Sequence, residues 1–252
     1  FRADEEDGER VKSKERRTVE DNKVMKAGIG YTIGNYMLKG LSFLTVPVFS
    51  RLLSTADYGV FNTYLAYQTI LFLLVGLALH SSLKNACYKY KDKFNAYISN
   101  CILIAIISLV VWLLCGNLLY PIYGKWLGFS RLVVNLLLLD SFGTAMIQFF
   151  NVYVGLDYRY TSFLKISASN ALMNLGISIF LIQTIFKNDR ATGRILGNAI
   201  PVALIAVVII TYFFRKEKPK YNGEYTKYAI TYSLPLIPHG ISQVILSQFD
   251  RI

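Results

Sequence analysis

Long apolar runs, each roughly 20 residues or more, recur along the chain between short polar loops, and such runs are long enough to cross a hydrocarbon core as helices. The pattern predicts transmembrane helices over 30–52, 58–80, 94–115, 131–156, 163–186 and 194–214, with a seventh beginning near 228. The fold class is therefore all-α, a polytopic transmembrane helical bundle acting in or across a bilayer. Pro47 in the first span and Pro235 with Pro238 in the seventh remove backbone donors and are expected to bend or break those helices. The longest loop is expected at 116–130. Gly30 with Gly34, and Gly193 with Gly197, have the spacing of small-residue contacts that let two helices approach.

Charge sharpens this picture by assigning sides. The even-numbered loops carry eleven cations (Lys84, Lys89, Lys91, Lys93, Arg159, Lys165, Arg215, Lys216, Lys218, Lys220 and Lys227) and the odd-numbered ones six (Arg51, Lys125, Arg131, Lys187, Arg190 and Arg194). Basic loops stay in the cytoplasm, so the N-terminus is expected there. The net charge of +11 sits beside apolar spans rather than on a basic soluble face, which argues against a nucleic-acid partner. Residues 1–24 differ from the rest, holding eight of the sixteen acids and almost no apolar side chain, and read as a charged disordered extension. Met25 reads as the natural start of the membrane protein. Residues 25–220 then form an N-terminal transmembrane lobe and 221–252 the start of a second, cut short at Ile252 and so expected to continue in a longer protein.

Ionisable groups inside apolar spans are functional candidates, because each costs several kcal/mol in hydrocarbon unless it faces protein or water. Lys39 lies within the first span, Asp140 about ten residues into the fourth, and Gln148 two helical turns further along the same face; Asp250 and Arg251 fall far along the seventh. Together they would line a polar cavity between helices. The structural alternatives are that Lys39 snorkels to an interface and that Asp140 pairs with Lys39 or another neighbour. His80 and His239 read as interfacial or hydrogen-bonded residues, and Cys87, Cys101 and Cys115 fit neither a zinc nor a redox spacing. No cofactor or metal is expected.

Three stretches together carry a family likeness: SRLLSTADYGVF at Ser50–Phe61, GRILGNAI at Gly193–Ile200 and YSLPLIPHGISQVILSQFDRI at Tyr232–Ile252. They resemble the polysaccharide-biosynthesis flippases, the Wzx-type O-antigen and capsule exporters of the multidrug/oligosaccharidyl-lipid/polysaccharide exporter superfamily. The resemblance implies two six-helix lobes, twelve or more helices in all, around a cavity opened alternately to each side of the bacterial inner membrane. Its cargo would be an oligosaccharide on undecaprenyl pyrophosphate, with membrane lipids and other polysaccharide-assembly proteins as further partners. Such a cargo asks for cations toward pyrophosphate, for which Lys39, Arg51, Lys84, Arg159, Lys165 and Arg251 are available, and for stacking groups toward sugar, for which Tyr31, Tyr36, Tyr64, Tyr67 and Tyr153 are candidates. Asp140 would bind a coupling proton or cation, with Gln148 and Asp250 as further polar cavity groups.

Two other readings are weighed against this one. A drug or cation antiporter of the same superfamily would favour an acidic cavity, whereas residues 25–252 hold twenty Lys or Arg against eight Asp or Glu. A membrane enzyme of polysaccharide assembly, a polymerase or ligase, would need an acidic or nucleophilic site at the membrane face; none is legible, and the protein is not expected to be an enzyme.

Overall fold

The computed structural model describes residues 2–249, with side chains for 24–246 apart from positions 41, 42, 44 and 125. Among the described residues nine α-helices run in the order α1 (Arg2–Leu52), α2 (Thr55–Val75), α3 (Leu83–Lys89), α4 (Phe94–Leu127), α5 (Arg131–Leu156), α6 (Tyr160–Thr184), α7 (Arg190–Lys216), α8 (Gly223–Ser233) and α9 (Leu236–Phe249). Short 3₁₀ turns flank α3 at Leu79–Ser82 and Lys91–Lys93. Among the described residues no strand forms, and α2, α4, α5, α6 and α7 are each long and apolar enough to cross a membrane. The long helices α1, α2, α4, α5, α6 and α7 alternate in direction. One end of the bundle, here called distal, therefore gathers the α1–α2, α4–α5 and α6–α7 loops, and the proximal end gathers α3, the α5–α6 turn and the α7–α8 linker.

The distal loops are short because side chains cap the helices that follow them. Ser54 and Asp57 form a capping box at α2, with the Asp57 amide donating to Ser54 Oγ at 3.1 Å and the Ser54 amide donating to Asp57 Oδ2 at 3.1 Å. Ser130 Oγ accepts from the Val133 amide at the start of α5, and Asp189 accepts from the Thr192 amide at the start of α7.

Hydropathy misplaces two boundaries. The second predicted span was expected to reach residue 80, but α2 stops at Val75 and the chain turns sharply through Leu77 and Ala78, both with positive φ (50° and 46°). Residues after the turn stay apolar because they enter the protein core: Leu79 and Leu83 are fully buried. The expected 116–130 loop is corrected too, since α4 continues to Leu127 and only Gly128–Ser130 connect it to α5. At 34 residues α4 is about 51 Å long, more than a hydrocarbon core requires. Its last turns carry Tyr120, Tyr123 and Trp126, and the Tyr120 hydroxyl donates to the Phe129 carbonyl at 2.8 Å. Gly128, at φ +71°, supplies the left-handed residue that ends the helix. The first predicted span lies inside α1, which passes through Pro47 unbroken, whereas Pro235 falls between α8 and α9 and separates them.

Helix α5 is the axis of the lobe and packs against α2, α4 and α7, while α6 bridges α7 to α1. Close approaches depend on glycine. Gly30 and Gly34 lie against Tyr160 and Leu164 of α6, and Gly197 of α7 lies against the Ser178 backbone. At Gly143 a β-carbon would stand 3.0 Å from the Val202 carbonyl oxygen, so α5 and α7 meet backbone to side-chain-less backbone. Helix α8 is tied to α4 by Asn100, whose Oδ1 accepts from the Asn222 amide at 2.8 Å and whose Nδ2 donates to Thr226 Oγ1.

Gly197→Val inserts volume where Ser178 backbone already sits and is expected to cost about 1–3 kcal/mol. Gly176→Ala, on an open helical position of α6, is expected to be neutral or to stabilise by about 0.5–1 kcal/mol. Thermal unfolding of the purified proteins in detergent tests the contrast; equal behaviour of the two variants would contradict this packing.

A buried polar chain and a polar cleft

Two arrangements of polar side chains stand out, one sealed within the lobe and one open at its surface. The sealed one starts at Asp140, which is completely buried in the middle of α5. Its Oδ2 accepts from the Tyr64 hydroxyl of α2 at 2.9 Å and from Asn198 Nδ2 of α7 at 2.8 Å. Asn198 Oδ1 accepts in turn from Asn174 Nδ2 of α6 at 2.6 Å. Asn174 Oδ1 accepts from an Arg194 guanidinium nitrogen at 2.8 Å, and the same nitrogen donates to Ser178 Oγ at 2.7 Å. Arg194, only 8% exposed, has its guanidinium carbon 4.0 Å from the Phe49 ring centre and 4.3 Å from that of Phe61.

Each link in this chain points the same way. Arg194 only donates, each asparagine accepts on its oxygen and donates from its nitrogen, and Asp140 only accepts. Two amide dipoles are thus aligned between a cation and a carboxylate, so the charges compensate each other without touching. The local sequence builds it simply: Asn174 and Ser178 are four apart on α6, and Arg194 and Asn198 are four apart on α7, which puts each pair on one helix face.

The open arrangement is a cleft of about 530 Å³ between α1, α5 and α6 with α3 at its edge. Tyr31 and Asn35 line it from α1, Gln148 and Asn151 from α5, Phe163 from α6 and Lys84 from α3. The Tyr31 hydroxyl and Asn151 Oδ1 are enclosed and make no hydrogen bond within the protein. The wall therefore offers a cation, unsatisfied hydrogen-bonding groups and an aromatic pair, Tyr31 and Phe163, with ring centres 5.2 Å apart.

Of the residues singled out in the sequence, Lys84 and Gln148 meet in this cleft. Gln148 does not share a face with Asp140, because eight residues advance about 80° around a helix; Asp140 points into the lobe and Gln148 into the cleft. Asp140 bonds to Tyr64 and Asn198 rather than to Lys39, which is exposed on α1. Arg51 is exposed at the distal end beside Gln183, and Lys165 is exposed along a shallow apolar groove between α6 and α7. Arg159 is at the proximal end, 3.3 Å from Asp157. Asp250 and Arg251 lie outside the described residues. Tyr31 does reach the cleft, but Tyr64 and Tyr153 are core residues and offer no open face to a sugar. His80 stacks on Phe72 at 6.4 Å, and burial pushes its imidazole down to about 4, so it is neutral near pH 7.

Sequence reasoning missed Arg194 by assigning it to a loop, and with it Asn174 and Asn198. The available signal was the four-residue spacing of polar side chains inside two apolar helices. Asn174→Leu and Asn198→Leu are each expected to lower stability by about 1–3 kcal/mol, since each strands buried donors and acceptors. The double variant is expected to cost clearly less than the two singles added, because both break one chain. Additive losses in thermal unfolding would show that the asparagines act separately.

No solved structure matches the chain. The chain is similar to an Lsg locus protein of Haemophilus influenzae, 25% identical over 241 residues, covering 91% of this chain and 56% of that relative. The chain thus spans about half the length of the curated relative it matches. Residues 24–252, which begin where the charged leading segment gives way to apolar sequence, match the family of polysaccharide biosynthesis proteins. With apolar helices fit to cross a bilayer and a family match over nearly its whole length, this chain is a membrane protein that belongs to the polysaccharide biosynthesis protein family.

Proposed function

We propose that the chain forms the N-terminal lobe, and the start of the second lobe, of a flippase that moves undecaprenyl-pyrophosphate-linked oligosaccharide across the bacterial inner membrane by alternating access. The whole transporter would have twelve or more helices, with a second lobe facing the cleft. It is a transporter rather than an enzyme. The observation that carries this reading is the cleft: the cation Lys84 lines it together with Asn151 and Tyr31, whose Oδ1 and hydroxyl have no partner within the protein, a set suited to a phosphate with sugar hydroxyls next to it. Family membership supports the glycan class of the cargo.

The N-terminus lies in the cytoplasm in this reading. Arg194 lies within α7 and Lys165 within α6, so neither is a loop cation, which leaves ten cations at the even loops against five at the odd ones and supports a cytoplasmic proximal end. The cleft would then load from the cytoplasmic leaflet.

The complete gene product, expressed in a bacterium lacking its own polysaccharide flippase, is expected to restore surface glycan. Lys84→Ala and Asn151→Leu, inserted at normal levels, are each expected to reduce it by about tenfold or more, the loss of one hydrogen bond to a charged or enclosed group. Full activity in both variants would remove the cleft as the cargo site. Resistance to cationic dyes without any glycan restored would point instead to a drug antiporter.

A further inference from the structure

Two cations stand close together at the proximal end, and neither belongs to the buried chain nor lines the cleft. The Arg159 guanidinium carbon is 5.1 Å from the centre of the Tyr153 ring. Lys216, the last residue of α7, donates to the Tyr153 hydroxyl at 2.7 Å, and its Nζ is 4.6 Å from the Tyr212 ring centre. Both charges thus share one tyrosine, whose ring is itself buried against Phe213 at 4.9 Å. The tyrosine is a fixed post between them.

The backbone is strained to make this possible. Tyr158, between α5 and α6, has φ 56°, a left-handed conformation that a bulky side chain rarely adopts and that costs about 1–3 kcal/mol. A hydrogen bond of 2.9 Å from the Arg159 amide to the Val154 carbonyl closes the turn. The turn folds Arg159 back over the end of α5 instead of releasing it to the loop.

Two like charges on one ring repel, and among the described residues one carboxylate, Asp157, pairs with one of them. Asp157 Oδ2 is 3.3 Å from Arg159 Nη2, but the Asp157 side chain is 59% exposed and can swing away into water. Arg159 Nε and Nη2 make no hydrogen bond, although both are enclosed. These two nitrogens form one edge of the guanidinium, the edge that grips two oxygens of a phosphate side by side. The pair stands at the ends of α5 and α7, two helices long and apolar enough to cross a membrane.

We infer that Arg159 and Lys216 form a phosphate-binding site at the proximal membrane interface, separate from the cleft, which takes the phosphate of a membrane-embedded lipid after displacing Asp157. Arg159 holds two phosphate oxygens, Lys216 supplies the second positive charge, and the Tyr153 and Tyr212 rings keep both cations in place. Asp157 acts as a resident competitor. Two lipids carry this chemistry, an anionic phospholipid and a polyprenyl pyrophosphate, and the experiment separates them.

The complete protein is purified into detergent and titrated with phosphatidylglycerol, undecaprenyl pyrophosphate or zwitterionic phosphatidylcholine, and bound lipid is counted by native mass spectrometry. One of the two anionic lipids is expected to bind, and whichever binds names the source. Arg159→Gln with Lys216→Gln is expected to weaken it by about tenfold or more, while Asp157→Asn strengthens it. Arg215→Gln with Lys218→Gln, which removes two charges nearby, is expected to change binding far less. All variants are first matched for thermal unfolding, so a folding defect is not read as lost binding. Unchanged binding in the Arg159/Lys216 variant, or an equal loss in the Arg215/Lys218 control, would overturn the site. Lost glycan export with intact binding would bear on the cleft reading alone.

Discussion

The lobe depends on the way it joins Asp140 and Arg194 away from water. A carboxylate or guanidinium taken from water into a protein interior loses several kcal/mol of hydration, and direct pairing is the usual compensation. Here the compensation runs through Asn198 and Asn174, so four helices are joined where a simple ion pair would join two. Tyr64 brings in α2, Asp140 α5, Asn174 α6, and Asn198 with Arg194 α7. In a bilayer, where lipid offers helices no hydrophobic reason to associate, such links and close packing must hold a bundle together.

The same arginine also secures α1. Its guanidinium lies against Phe49 of α1 and Phe61 of α2, and one turn earlier Arg190 donates to the Leu52 carbonyl at the end of α1 at 2.9 Å. Helix α1 otherwise rests chiefly on α6, through Gly30 and Gly34. The cleft wall formed by Tyr31 and Asn35 thus owes its position to contacts made at Gly30 and Gly34 and at the C-terminal end of α1. Under the proposed function, a rigid lobe of this kind would let the cleft keep its shape while its opening changed side.

Much of the fold was legible because hydropathy and helix length are governed by the same bilayer. The fourth span was read at 131–156, the range of α5 itself. The errors came where apolar residues face protein or the interface instead of lipid. Leu77, Ala78 and Leu79 extended the second span past the turn at Gly76, and the aromatic end of α4 was mistaken for a loop. At the candidate site, Asp140 was visible as an acid among leucines, but its partners were not, since asparagine is unremarkable one residue at a time. Arg194 was hidden by lying near a cluster of true loop cations, and Lys84 and Gln148 come from segments whose meeting only the fold reveals. Lys39, Arg51 and Lys165 looked equivalent to Lys84 by charge, yet they stand on exposed surfaces away from the cleft.

The most direct measurement is a double-mutant cycle on the two charges, using Asp140→Leu, Arg194→Met and both together, followed by thermal unfolding of the purified protein. If the two are one compensated pair, each single variant loses about 3–5 kcal/mol, because it strands the opposite charge, and the double variant loses no more than either single one. Losses that simply add would show that Asp140 and Arg194 are held independently, and the polarised chain between them would not be what binds the lobe together.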